Sequence, residues 1–178
     1  MLDAELLEQI HGTAWIAELL ALFDFDVEGI ANGPVEPVHL SGGEALEQVG
    51  RDASGGAFML VGPPADVRPV LYIGSEGEAG RIASNLSDAL ALIVGLPSLH
   101  DATCYDYGDP RLADWVMSCH NEIREDQPSL DEDRARIRAA LGLPEVGPLL
   151  EPFYAGLRDE RYLPIGTKHG ERYRCLLD

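Results

Sequence analysis

A chain of 178 residues with 46% hydrophobic and 25% charged side chains is long enough to bury a core and too apolar to be a disordered segment. Its 13 Lys and Arg stand against 31 Asp and Glu, a net charge of −18, and residues 1–50 hold no Lys or Arg. Such a surface repels nucleic acid and anionic membrane and attracts a basic protein, although the same charge also serves plain solubility.

In chain order, Leu2, Leu6 and Ile10 recur one helical turn apart, Gly12-Thr13 interrupts, and Thr13 is placed to cap a second helix bearing Ile16, Leu19, Leu20 and Phe23. Residues 24–47 mix Gly, Pro and acids and read as loop, with a short strand over Val35–Leu40 and a short helix after Gly43. Ala57–Val61 and Val70–Ile73 are rich in β-branched and aromatic residues and bounded by Gly and Pro, which predicts a paired hairpin. Pro63, Pro64 and Pro69 cannot donate to a ladder and stiffen its loop. Ser75–Gly80 reads as a polar turn whose two glycines tolerate φ > 0, followed by a short strand over Arg81–Ser84. Asn85 is then a helix N-cap, and Leu86, Ala89, Leu90, Ile93 and Val94 form the stripe that the helix lays on the sheet.

Downstream, Asp109-Pro110 opens a helix whose Leu112, Trp115, Val116, Cys119 and Ile123 predict a buried stripe, with Trp115 inside it. Trp15 turns partly away from its own helix's stripe. Ser129 and Glu132 have capping-box spacing, Leu130, Ile137, Ala140 and Leu141 face inward, and Gly142 with Pro144 stops the helix. Asp131, Glu132 and Asp133 against Arg134, Arg136 and Arg138 read as solvated ion pairs worth ~0.2–0.5 kcal/mol each. A short helix is expected within 148–162 and a hairpin or single strand in the tail from 162 to 177. The sum is an α+β fold, a small and mainly antiparallel sheet covered by several helices, in one domain over residues 1–178.

Three blocks, in their order and separations, carry a resemblance. They are the strand entry Gly50-Arg51-Asp52-Ala53-Ser54-Gly55-Gly56, the strand Pro69 to Ile73, and the run Glu76 to Leu90. Together they resemble the SUKH superfamily of bacterial immunity proteins, which includes yeast cell-wall synthesis regulators, and the matching core, 50–101, spans about a third of the chain. Asn32-Gly33 matches a step found after the first helix of better-known members, whereas the Leu-Pro step that precedes it there is missing. The resemblance implies a SUKH-like fold and a non-enzymatic module that binds and neutralises a cognate toxin, often a nuclease. A regulatory scaffold of the same superfamily is the alternative.

The chemistry-bearing residues point the same way. His100-Asp101 is similar to the dipeptide of metal-dependent phosphohydrolases, which makes a metal-dependent hydrolase a further alternative, but His39 and His120 have no supporting ligand context. Cys119 and His120 diverge by roughly 100° on a helix, and Cys119 falls on the apolar stripe, so it reads as a core residue. Gly50, Gly55 and Gly56 lack the Gly-Lys-Ser/Thr of a phosphate loop, and the single lysine is Lys168. Glu76 and Glu78 lie in a Gly-rich turn, where carboxylates are more often solvated than catalytic. The expectation is no catalytic residue, metal or cofactor, and partner binding through Asp52, Glu76 and Glu78 with the loop acids of residues 24–36. Three widely spaced cysteines, Cys104, Cys119 and Cys175, fit reduced thiols. With no run approaching the ~20 apolar residues of a membrane span and an acidic N-terminus unlike a signal peptide, the expected compartment is the cytoplasm.

Overall fold

The computed structural model describes residues 2–28, 30 and 36–177. Helices α1 (Asp3–His11) and α2 (Ala14–Leu22) precede strands β1 (Val38–His39), β2 (Leu46–Arg51), β3 (Ala57–Val61), β4 (Val70–Ile73) and β5 (Glu78–Ala83). Helices α3 (Leu86–Gly95), α4 (Leu99–Ala102), α5 (Leu112–Asp126), α6 (Leu130–Leu141) and α7 (Leu150–Leu157) follow, then strands β6 (Ile165–Gly166) and β7 (Arg174–Cys175). The fold is α+β, with a five-stranded sheet ordered β2-β3-β4-β5-β7 and a two-stranded ribbon of β1 and β6. All strand pairs are antiparallel except β5 with β7.

Both faces of the sheet are covered, which explains why its central strands read as continuous apolar runs rather than alternating ones. Phe58, Leu60, Val70 and Tyr72 face the helices and join a core with Leu6, Ile10, Leu20, Leu90, Ile137 and Phe153. Their neighbours Met59, Val61, Leu71 and Ile73 face the other way, where Leu40 and Tyr173 close a smaller core. Cross-strand pairs such as Phe58 with Tyr72 and Met59 with Leu71 keep the two sets in register. Asn85 accepts the Asp88 amide at 2.8 Å and starts α3 where its pattern places it. A carboxylate far away in sequence supports the same turn: Asp3, buried, accepts the Leu86 amide at 3.0 Å and the Arg68 amide at 2.7 Å.

Several expectations give way to tertiary context. No helix follows Gly43. Leu46–Arg51 is instead the edge strand β2, with a register shift between Gln48 and Gly50. A Cβ at Gly50 would lie 2.7 Å from the Phe25 ring, so this glycine admits an aromatic against the strand. β5 begins three residues earlier than predicted and takes in Gly80, which is not a turn residue: a Cβ there would sit 2.5 Å from Leu157, and α7 uses the space to close on the strand. Gly77, at φ +86°, is the turn glycine. The short strand expected over Val35–Leu40 is present only as β1, Val35 and Asn32-Gly33 lying outside the described residues. In the tail, Ile165 bridges Arg172 in antiparallel fashion before β7 joins the main sheet, so the segment is both turn and strand.

The helices also depart in part. α5 starts at Leu112, preceded by a turn in which the Asp109 carboxylate accepts the Arg111 amide at 2.9 Å. Only Cys119 of its stripe is buried, and Trp115, 36% exposed, lies on the surface with its indole N–H donated to the Asp101 carbonyl. The Ser129 capping box does not form, because Ser129 is already helical and its hydroxyl bonds the Asp133 carboxylate. The Thr13 side chain makes no cap bond either. The α6 arginines do more than form solvated pairs: Arg136 is exposed and Arg134 keeps its pair with Asp131, but all three make further contacts. Arg134 donates to the carbonyls of Val94 and Leu96 at the end of α3, Arg136 stacks on Trp15 at 4.1 Å, and Arg138 donates to the Pro144 carbonyl. Cys104 and Cys119 are free thiols, and the Cys175 thiol donates to the Leu157 carbonyl at 3.2 Å. No helix among the described residues is long and apolar enough to cross a membrane.

Candidate functional site

One end of the sheet gathers most of the polar side chains singled out above. The turn after β2 and the turn after β4 emerge side by side, since Ala57 pairs with both Arg51 and Ile73. Backbone bonds in both directions between Asp26 and Arg51 bring the segment after α2 to the same place. α4 completes the group through His100.

Asp52 organises the β2–β3 turn. Its carboxylate accepts the Ser54 hydroxyl at 2.7 Å, the Gly56 amide at 2.7 Å and the Tyr72 hydroxyl at 2.6 Å. A side chain on Gly56 would strike Tyr72 and Asp52, so the close approach requires that glycine. Burial pushes the Tyr72 phenol far above its ordinary value, and the hydrogen bond to the Asp52 carboxylate adds to it, so Tyr72 stays a proton donor at all physiological pH. The rings of Phe25, Phe58, Tyr72 and His100 follow one another at centroid separations of 5.2, 5.2 and 5.8 Å. His100 Nε2 lies 3.1 Å from Glu78 Oε1, and the second Glu78 oxygen is buried with no hydrogen-bond partner among the described residues.

Asp24 borders the same place and is the single non-glycine residue at positive φ, +62°, among those described. It is exposed as a residue, yet its carboxyl is partly desolvated beside a cavity of about 40 Å³ walled by Asp52, Phe58, Tyr72, Leu99 and His100. Burial raises its pKa and the nearby Asp52 charge raises it further. The cavity has room for a water molecule or the tip of a side chain rather than a substrate. Its chemistry is that of an anion-rich mouth over an aromatic floor, where an entering cation would relieve the repulsion between Asp24 and Asp52.

Of the three expected partner-binding residues, Asp52 and Glu78 are brought together through Tyr72 and His100, both with internal hydrogen bonds. Glu76 stands apart, exposed at the β4–β5 turn, where with Glu36, Glu171, Arg172 and Arg174 it lines a separate depression of about 250 Å³. His100 and Asp101 do not face a common point: His100 meets Glu78, while Asp101 exchanges hydrogen bonds with Ser98 at the start of α4. The described residues hold no group of three or more His, Cys, Asp or Glu able to bind a metal. Asp24 is one of the loop acids of residues 24–36 expected at the interface, whereas Tyr72 is absent from the sequence reading of this site. Tyr72 sits in a strand whose every residue is buried, so its hydroxyl carries no signal in pattern alone. Asp24 had one, the Asp-Phe-Asp step, in which a buried Phe25 forces its neighbours outward. No protein-family model, curated protein or solved structure matches the chain.

Proposed function

We propose that the chain is a non-enzymatic protein-binding module that neutralises a basic partner in the cytoplasm, the partner being a toxin domain such as a nuclease, as the SUKH resemblance implies. The supporting observation is the charge state of the sheet end. Asp24, Asp26, Asp52 and Glu78 converge there, with Glu76 on the neighbouring β4–β5 turn, and among the described residues none of the five is ion-paired with Lys or Arg, Glu78 meeting the His100 imidazole. Eight arginines pair with other carboxylates. Unpaired charge of one sign at one end of a molecule accelerates encounter with an oppositely charged protein by ~10-fold to 10³-fold.

The test is the binding kinetics of Glu76→Ala and Glu78→Ala against the partner captured from the native cell, at low and high salt. Glu76, exposed, should act as a rim charge whose loss slows association. Glu78, largely enclosed beside His100, should act chiefly on dissociation. Wild-type association should slow as salt rises, over a Debye length of ~8 Å at physiological ionic strength. Salt-independent association together with wild-type rates for both variants would overturn the proposal.

A further inference from the structure

Arg81 has no carboxylate of its own in a chain rich in carboxylates. Eight other arginines form ion pairs, whereas Arg81 forms none among the described residues. Its Nη1 donates to the Ser84 hydroxyl at 3.2 Å, and Nε and Nη2 donate to no group among the described residues. The guanidinium lies 5.4 Å from the centre of the Tyr162 ring and against Gly156 of α7, where a Cβ would come within 3.3 Å of Cζ and Nη2. Asp159 feels the Arg81 charge but is taken up by Arg161 at 2.7 Å.

Arg81 and Ser84, at the end of β5, line a pocket of about 170 Å³ together with Asp88 from the first turn of α3. Asp88 is half-buried, and its Oδ2 accepts the Asn85 side-chain amide at 2.8 Å, while Oδ1 accepts nothing among the described residues. Leu92, Leu149 and Phe153 supply an apolar wall. The pocket therefore offers a cation with unused donors, an anion with an unused acceptor, and hydrocarbon. A phosphate or simple carboxylate would meet the Asp88 charge, an amine the Arg81 charge, and a sugar would leave hydroxyls against Leu92 and Phe153. A molecule with a carboxylate, an ammonium and an apolar tail satisfies all three surfaces. Space agrees, since an apolar cavity of ~150 Å³ takes benzene, and a side chain of leucine size is smaller than that.

We propose that this pocket binds a free aliphatic α-amino acid, its carboxylate on Arg81 and Ser84, its ammonium on Asp88 and its side chain against Leu92, Leu149 and Phe153. A small number of placed polar groups on an otherwise apolar wall is the usual build of a small-molecule site. None of its lining residues is shared with the cavity at the acidic sheet end, so the site is separate from the surface proposed for the partner.

The test titrates L-leucine into the intact protein beside leucinamide, which lacks the carboxylate, and isocaproate, which lacks the ammonium. The methyl resonances of Leu92 and Leu149 should shift with leucine, and both analogues should bind at least about tenfold more weakly, as when a site's polar groups are left unpaired. Arg81→Gln should abolish the preference for leucine over leucinamide, and Asp88→Asn the preference for leucine over isocaproate. Each variant is read as a ratio of two ligands on one folded protein, so a change in stability does not imitate the result, and the wild-type ratios stand without the variants. Unshifted methyls at millimolar leucine, wild-type binding of either analogue equal to that of leucine, or a preference that survives in its variant would each overturn the inference.

Discussion

Arg111 and Arg124 on α5 and its approach, and Arg134 and Arg138 on α6, each meet a carboxylate, and Arg134 and Arg138 also reach main-chain carbonyls. At the sheet end, Asp24, Asp26 and Asp52 have no Lys or Arg ion pair among the described residues, and the Asp24 and Asp52 charges repel each other. The two regions use charge for different ends. On the helical side it is neutralised locally and holds helices in place, and at the sheet end it is left as an outward field at some cost in self-repulsion. A chain with this net charge would gain stability from even one Lys or Arg near Asp24, and the first 50 residues contain none.

The comparison breaks first at Asp3. This acid belongs to the Arg-free segment, yet it is buried and holds the amides of Arg68 and Leu86. Asp3→Ala leaves two buried donors unsatisfied and should cost about 3–5 kcal/mol. Urea denaturation reads the change, and a loss below about 1 kcal/mol would show that the carboxylate is dispensable to the α3 start.

On the helical side, Arg134→Ala should cost about 2–4 kcal/mol, because its largely buried guanidinium caps the last carbonyls of α3. Arg134→Lys should recover only part of that, since an ammonium lacks the planar fork that spans two carbonyls. A full rescue by Lys would reduce Arg134 to a simple counter-charge. Tyr72→Phe at the sheet end should cost less, about 1–2 kcal/mol, since Asp52 keeps its bonds to Ser54 and Gly56. An unchanged thermal midpoint in that variant would mean that Asp52 orders its turn without the phenol.

His120 sharpens the contrast through pH. Burial, with the charges of Arg134 and Arg124, lowers its pKa to about 4, against 6.5 for an unhindered imidazole. Between these values the unfolded chain binds a proton that the folded chain does not, so stability present above pH 6.5 is lost as pH falls toward 4. His120→Gln should flatten stability over this window. An identical pH profile in the variant would place the acid sensitivity elsewhere, and not at Asp24, whose raised pKa makes the folded state gain stability as that carboxyl is protonated.

Much of the fold was legible in the sequence because local and tertiary preferences agree there. β3, β4 and α3 combine strand-forming or periodic apolar residues with clear boundaries, and Asn85 caps α3 as its spacing predicts. β2 was misread because Glu44, Ala45, Leu46, Glu47 and Gln48 are good helix formers, and the contact that overrides them, Phe25 against Gly50, lies in a distant segment. Gly80 looked like a turn residue for the same reason: nothing near it in sequence announces Leu157. The α5 stripe has the periodicity of a core face, yet Cys119 is its one buried member and Leu112 and Val116 border a groove, a distinction that periodicity does not carry. At the candidate site, the carboxylates of the two turns were visible, and the aromatic row that joins them to His100 was not, since stacking across strands and helices has no sequence period.

β7 brings a consequence in time. It pairs in parallel with β5, Glu78 beside Arg174 and Ala79 beside Cys175, so the fifth strand arrives some hundred residues after its neighbour has been made. During synthesis β5 therefore presents an open edge for as long as α3 to α7 take to emerge, and closing so long a loop delays the final pairing. Folding of this chain is expected to have a slow last step in which the sheet edge is sealed, and a ribosome-bound nascent chain that stops before Arg174 should be the species most prone to strand exchange with its neighbours.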